Sequence, residues 1–176
     1  MSKFLIPLFA FLVLVAVFVV GLTMDPSRIP SPLLENPAPV FSLPSLQDPA
    51  IEVGSANYAN RMALVNIWAT WCAGCRQEHG FLLELAREGD IPIFGLNWRD
   101  NRPDALQWLQ TLGDPYIASG FDVDGRVGID WGAYGAPETF LVDRDGVVIH
   151  KHIAPLDREI WERDFLPLIL ARESVE

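Results

Sequence analysis

Two short segments, MALVNIWA (62–69) and IPIFGLNW (91–98), are almost uniformly apolar and rich in β-branched or aromatic residues. A strand with one wet face alternates apolar and polar residues. These two do not, so each is expected to be a strand covered on both faces. A helical pattern follows each of them. In CRQEHGFLLELARE (75–88), Phe81, Leu82 and Leu85 share one side, and RPDALQWLQTLG (102–113) opens with Pro103 and closes with Gly113, ordinary helix start and stop signals. ETFLVDRDGVVIHKHI (138–153) divides around Arg-Asp-Gly into two strands of a hairpin. DREIWERDFLPLILAR (157–172) reads as a terminal amphipathic helix, in which Pro167 predicts a bend. The order βαβα followed by ββα requires an α/β fold with a mixed central sheet and helices on both faces. Trp98, Trp108, Trp131 and Trp161 fall at element positions and read as core.

The N-terminus is of a different kind. FLIPLFAFLVLVAVFVVGL (4–22) has no charged or hydrogen-bonding side chain. As a helix it spans about 28 Å at ~1.5 Å per residue, close to the ~30 Å hydrocarbon thickness of a bilayer. Lys3 precedes it and Asp25 is the first charge after it, which places the tail inside and the rest of the chain outside. No Ala-x-Ala-like site follows, so residues 1–24 are expected to remain as an anchor in a bacterial inner membrane, with the remainder in the periplasm. Pro26, Pro30, Pro32 and Pro37 make residues 25–37 a semi-rigid stalk, and the folded domain is expected over 38–176. APVFSLPSL (38–46) could supply a first strand or hairpin. The formal charge of −10, without a Lys/Arg cluster, argues against nucleic acid as a partner.

Cys72 and Cys75 are the only cysteines. A disulfide between them closes too small a loop to stabilise the fold through chain entropy. A structural zinc needs four ligands, and beyond two thiols the chain offers only His79, His150 and His152. His150 and His152 share a strand face, so a copper or zinc site is conceivable; two half-exposed strand histidines are the plainer account. Redox chemistry remains. Cys72 follows a buried strand and opens a helix, where the free N–H groups and the dipole favour a thiolate. Cys75, one turn further, is expected to be more buried and to resolve a mixed disulfide.

WATWCAGC (68–75) resembles the thioredoxin superfamily, and GAYGAPETFLVD (132–143) narrows the resemblance to the periplasmic thioredoxins of cytochrome c maturation, the CcmG/DsbE type. GLNWRDNRPDALQWL (95–109) and FDVDGRVGIDWG (121–132) are similar to that group as well, and the resemblance spans roughly residues 35–172. It implies that Cys72 attacks and Cys75 resolves. It also implies that Pro137 is the cis-proline facing the pair, with Ala136 before it. Trp71 and Tyr134 wall the substrate groove, and Glu78 and Glu138 are the acids near the thiols. Asn66 stands where ordinary thioredoxins place a buried Asp for the proton of the resolving thiol, so Glu78 or Glu138 has to take that role. Surface solvation is the plain alternative for both glutamates. Many relatives carry a proline between the cysteines; here Ala73-Gly74 loosens the helix start.

The activity implied is reductive. Bacterial periplasm is oxidising, so the Cys-x-x-Cys-His site of an exported apocytochrome c becomes a disulfide, whereas haem attachment needs free thiols. The expected substrate is that disulfide, or the mixed disulfide with a maturation thiol protein. The expected electron source is a membrane carrier of the DsbD/CcdA kind, and no cofactor is expected beyond the Cys72–Cys75 disulfide. A broader disulfide reductant or an oxidase on the same fold is the second reading. A copper- or haem-binding chaperone is the third, and the spacing speaks against it: copper-delivery relatives separate their cysteines by three residues, this chain by two.

Overall fold

The protein is described from a computed structural model, which covers residues 2–22 and 32–173, with side chains described over 6–19, 21 and 32–172. Helix α1 is Ser2–Leu22. Among the described residues no helix is long and apolar enough to cross a membrane; within α1 side chains are described only over 6–19 and 21, short of the roughly 20 residues a span needs. Residues 1, 23 and 24 of the expected anchor and 25–31 of the expected stalk lie outside the described residues.

The domain is built on a six-stranded sheet of β1 (Asn36–Pro37), β4 (Ala63–Trp68), β5 (Ile93–Trp98), β6 (Ala118–Asp122), β7 (Glu138–Val142) and β8 (Val147–Ile153), in the order β1-β8-β7-β4-β5-β6. Strands β4, β5 and β6 are parallel, while β7, β8 and β1 run antiparallel to their neighbours. The sheet is therefore mixed, as the order of elements required. Every residue of β4 and of β5 is buried. Asn36 and Pro37 already belong to the sheet, opposite Val148 and Val147. The segment 38–46 gives β2 (Ser42–Pro44), which forms a small separate hairpin with β3 (Glu52–Gly54).

Helices α2 (Ala73–Glu88) and α3 (Arg102–Leu112) carry the chain from β4 to β5 and on to β6. Both steps go in the same direction across the sheet, and parallel crossovers are right-handed, so both helices fall on one face. There Leu82 and Leu85 of α2 and Trp108 and Leu109 of α3 pack with Leu64, Trp68 and Leu141 of the sheet. The other face holds Val65, Ile67, Phe94, Leu96 and Phe140, covered by Tyr58, by Trp131 and by the short α4 (Arg126–Asp130). Gly89 ends α2 in the left-handed conformation, at φ 78°, and its N–H reaches the Leu85 carbonyl.

The C-terminal helix does not simply bend. It divides into α5 (Arg158–Ile160), a π-helical turn Trp161–Phe165, and α6 (Leu166–Glu173), with Leu166 N–H bonded to Trp161 O five residues back. Pro167 has no N–H to give to residue 163, and the wider turn just before it accommodates the loss. Trp161, Phe165 and Ile169 still reach the core. Trp98, Trp108 and Trp131 are buried as well.

Candidate active site

The turn Ala69–Cys72, closed by Cys72 N–H to Ala69 O at 3.3 Å, leads from β4 into α2. Cys72 is the N-cap of α2, and its sulfur accepts the Cys75 N–H at 3.0 Å. Cys72 and Cys75 form a disulfide, with their Cα atoms 5.3 Å apart. The expected difference in burial is absent, because the two residues are 4% and 3% exposed. Two prolines pack against the glycine between them. A Cβ built on Gly74 would lie 2.8 Å from Pro137 Cδ and 3.2 Å from Pro155 Cγ, so both rings close over the turn between the cysteines. Gly74 therefore does more than loosen the helix start: it leaves room for those rings. The Ala136–Pro137 peptide is cis, and Ala136 is partly buried beside it. The helix end still distinguishes the thiols, since only Cys72 stands at the N-cap.

Neither glutamate is on the surface. Glu78 is 1% and Glu138 0% exposed, which overturns the solvation reading for both. Their surroundings differ. Glu138 Oε1 accepts the backbone N–H groups of Tyr134 at 2.7 Å and Gly135 at 3.1 Å, and Oε2 pairs with Lys151 Nζ at 2.9 Å. Lys151 also donates to Gly132 O at 2.8 Å. This ion pair clamps the 132–136 loop that presents Pro137, and both carboxylate oxygens are taken.

Glu78 is held by neutral donors instead of a cation. Oε1 accepts from Asn66 Nδ2 at 2.9 Å and Oε2 from Leu156 N at 2.8 Å. Asn66 stands directly opposite Thr139 in the β4–β7 ladder and donates to its Oγ1 at 3.0 Å, while Tyr116 Oη donates to Asn66 Oδ1 at 2.9 Å. Burial raises Glu78 to about 7, against the lowering effect of its bonds from Leu156 and Asn66. Burial likewise pushes the Tyr116 phenol well above its ordinary range, so it remains a donor. A carboxyl that exchanges its proton near neutrality thus lies one helical turn beyond Cys75, on the same helix.

Trp71 is 56% and Tyr134 64% exposed. Trp71 is nevertheless held, with Nε1 donating to Arg99 O at 3.1 Å and its ring 6.1 Å from that of Trp98. Tyr134 has Lys151 Nζ 4.8 Å from its ring centroid.

The histidines are structural. His79 is buried, its Nε2 meets Gly113 O at 3.0 Å and its Nδ1 accepts from Trp108 Nε1 at 3.3 Å, so it ties α2 to the end of α3. His150 and His152 do share a face of β8, but they press against Phe165, at 4.6 and 6.5 Å between ring centroids, and His152 is only 9% exposed. Among the described residues no group of three or more His, Cys, Asp or Glu side chains could hold a metal ion. Four further groups reach the site that the sequence reading does not single out: Tyr116, Thr139, Lys151 and the Leu156 N–H. Thr139 has a signal, since it lies in the Pro-Glu-Thr-Phe block; the others meet the site only through tertiary folding.

The redoxin family profile matches residues 33–165. The thiol:disulfide interchange protein DsbE of Allochromatium vinosum is 49% identical over 168 residues, covering 96% of this chain and 93% of that one. The DsbE of Escherichia coli K12 is 41% identical over 170 residues, covering 93% and 91%. Among solved structures, a secreted thiol-disulfide isomerase from Corynebacterium glutamicum has a TM-score of 0.67 at 22% identity, over 75% of this chain and 84% of that one, a likeness of fold.

Between the ordinary 4.5 and about 7, folded Glu78 keeps a proton that the unfolded chain has released. Stability conferred by the protonated form is therefore lost as pH rises through that window, by roughly 3 kcal/mol in all. The buried histidines act oppositely: their pKa values are lowered by burial, so stability is lost as pH falls below the ordinary 6.5. In denaturant unfolding of the oxidised protein, Glu78→Gln should gain about 2–3 kcal/mol relative to wild type between about pH 5 and pH 8, leaving the acid limb intact. Parallel profiles for the two proteins would contradict the assignment. Gly74→Ala should lower stability by about 1–3 kcal/mol, because the proline rings cannot swing away from the added methyl. A thermal midpoint at or above wild type would show that the rings yield.

Proposed function

Because this chain belongs to the redoxin family, among its DsbE thiol:disulfide interchange proteins, we propose that it is a membrane-anchored reductant serving cytochrome c maturation. Its substrate is the disulfide of an exported apocytochrome c, or of a maturation thiol protein, and its product is the free thiol pair that haem attachment needs. The observation that carries this reading is the Cys72–Cys75 disulfide at the start of α2 with the buried Glu78 one helical turn beyond Cys75.

In the reduced protein the Cys72 thiolate attacks the substrate disulfide, forming a mixed disulfide and releasing one substrate thiolate. Glu78 takes the Cys75 proton. The Cys75 thiolate then attacks the Cys72 sulfur, closing the internal disulfide and releasing the second substrate thiolate. Two electrons pass to the substrate, and the two protons that complete its thiols come from Glu78 and from solvent. Glu138, held by Lys151 and the loop, positions Pro137. Trp71 and Tyr134 flank the incoming chain. Electrons return from a membrane carrier of the DsbD/CcdA kind.

The anchor rests on the sequence run 4–22, whose uncharged length matches a bilayer, and on the exposure of the apolar side chains from Ile6 to Val19 along α1. It places the domain in the periplasm, at the inner membrane where both partners are, and tethering raises the effective concentration of each.

Cys75→Ser should accumulate a mixed disulfide with the natural substrate through Cys72, and Cys72→Ser should accumulate none. Deletion of the gene should deplete c-type cytochromes, with recovery on addition of a small thiol. Normal cytochrome levels in the deletion strain would refute the proposed substrate. Mass spectrometry of the membrane-extracted protein should find residues 1–24; a soluble form beginning near residue 25 would refute the anchor.

A further inference from the structure

We infer that Asp100 is a positioning residue for thiol–disulfide exchange: it ties down the turn that delivers Cys72 and sets a fixed negative charge beside the pair. Its carboxylate collects four donors. Oδ2 accepts from Thr70 N at 2.7 Å and from Asn97 Nδ2 at 2.9 Å. Oδ1 accepts from Thr70 Oγ1 at 2.6 Å and from Asn101 N at 2.8 Å.

Thr70 and Trp71 are the two central residues of the Ala69–Cys72 turn. Asp100 holds the first through two bonds, and the carbonyl of the adjacent Arg99 holds the second through its indole N–H at 3.1 Å. Arg99 itself adopts the left-handed conformation, with φ 48°, which a non-glycine residue keeps only where its surroundings fix it. The whole approach to Cys72 is therefore registered on two consecutive residues of the β5–α3 loop.

A simple loop tie needs one or two neutral bonds. Here four donors converge on one side chain, which suits a carboxylate, a group that only accepts, and holds it in place. The guanidinium of the neighbouring Arg99 lies over the Trp98 ring, at 5.0 Å from its centroid. Thr70 is two residues from Cys72, so their Cα atoms are at most about 7.6 Å apart. The Asp100 carboxylate, bonded to Thr70 N at 2.7 Å, therefore lies within about 12 Å of the Cys72 Cα; a negative charge there disfavours the Cys72 thiolate, and a less stable thiolate makes the pair more reducing.

Asp100→Asn and Asp100→Ser both remove the charge, and Thr70→Val removes one bond while keeping it. All three are equilibrated with reduced and oxidised glutathione, and the Cys72 pKa is followed by thiolate absorbance. The Asp100 variants should shift the equilibrium about five- to tenfold towards the reduced protein, tenfold being about 30 mV for a two-electron couple, and should lower the Cys72 pKa. Thr70→Val should lower the thermal midpoint and leave the equilibrium within about twofold of wild type. The inference is overturned if whichever Asp100 variant folds leaves equilibrium and pKa unchanged, or if Thr70→Val shifts the equilibrium as far as they do. These readouts concern only the Cys72–Cys75 couple, so they stand apart from the cytochrome reading.

Discussion

The hydrogen bond from the Asn66 amide to Glu78 joins the middle of the sheet to the helix that carries the disulfide, and the site depends on it. Asn66 is fixed by its place in β4, opposite Thr139 and bonded by Tyr116. Glu78 is fixed by α2 and by the Leu156 N–H. Two neutral donors orient the carboxyl without supplying the cation that would keep it ionised. It therefore stays buried with a pKa of about 7, at a cost that is a sizeable fraction of the roughly 5–15 kcal/mol by which a domain is typically stable. Such a group is at odds with stability and suited to moving a proton.

The second buried glutamate shows the opposite solution. Glu138 meets a lysine and two backbone donors, so its charge is matched and its position fixed. Through it the hairpin strand β8, which carries Lys151, sets the loop before Pro137. One acid is held by neutral donors alone and the other by a cation that fixes the loop before Pro137, so the difference lies in the partner each was given.

The central strands and the helices after them are legible in the sequence because burial on two faces leaves a local imprint, an apolar run followed by a 3.6-residue period. The cysteine pair is legible for the same reason: strand, turn and helix start are all written in sequence around it. Strand β6 is not, because ASGFD has no β-branched run; it is an edge strand met by the β2–β3 hairpin, where Ser45 bridges Gly120. The depth of the cysteine turn leaves no local imprint, because Pro137 and Pro155, which pack against Gly74 within it, are distant in the chain. The burial of Glu78 and Glu138 is hidden likewise, since an acid in a helix or at a strand start ordinarily faces water. Asp100 gives no local sign, as its partner Thr70 becomes a neighbour only when β4 and β5 pair.

Whether Glu78 exchanges its proton near neutrality is measured most directly by carbon-detected NMR titration of the side-chain carboxyls in the oxidised protein. A midpoint of about 7 is expected for Glu78, with its signal lost in Glu78→Gln. A Glu78 midpoint in the ordinary range, about 4–5, would contradict the role given to it here.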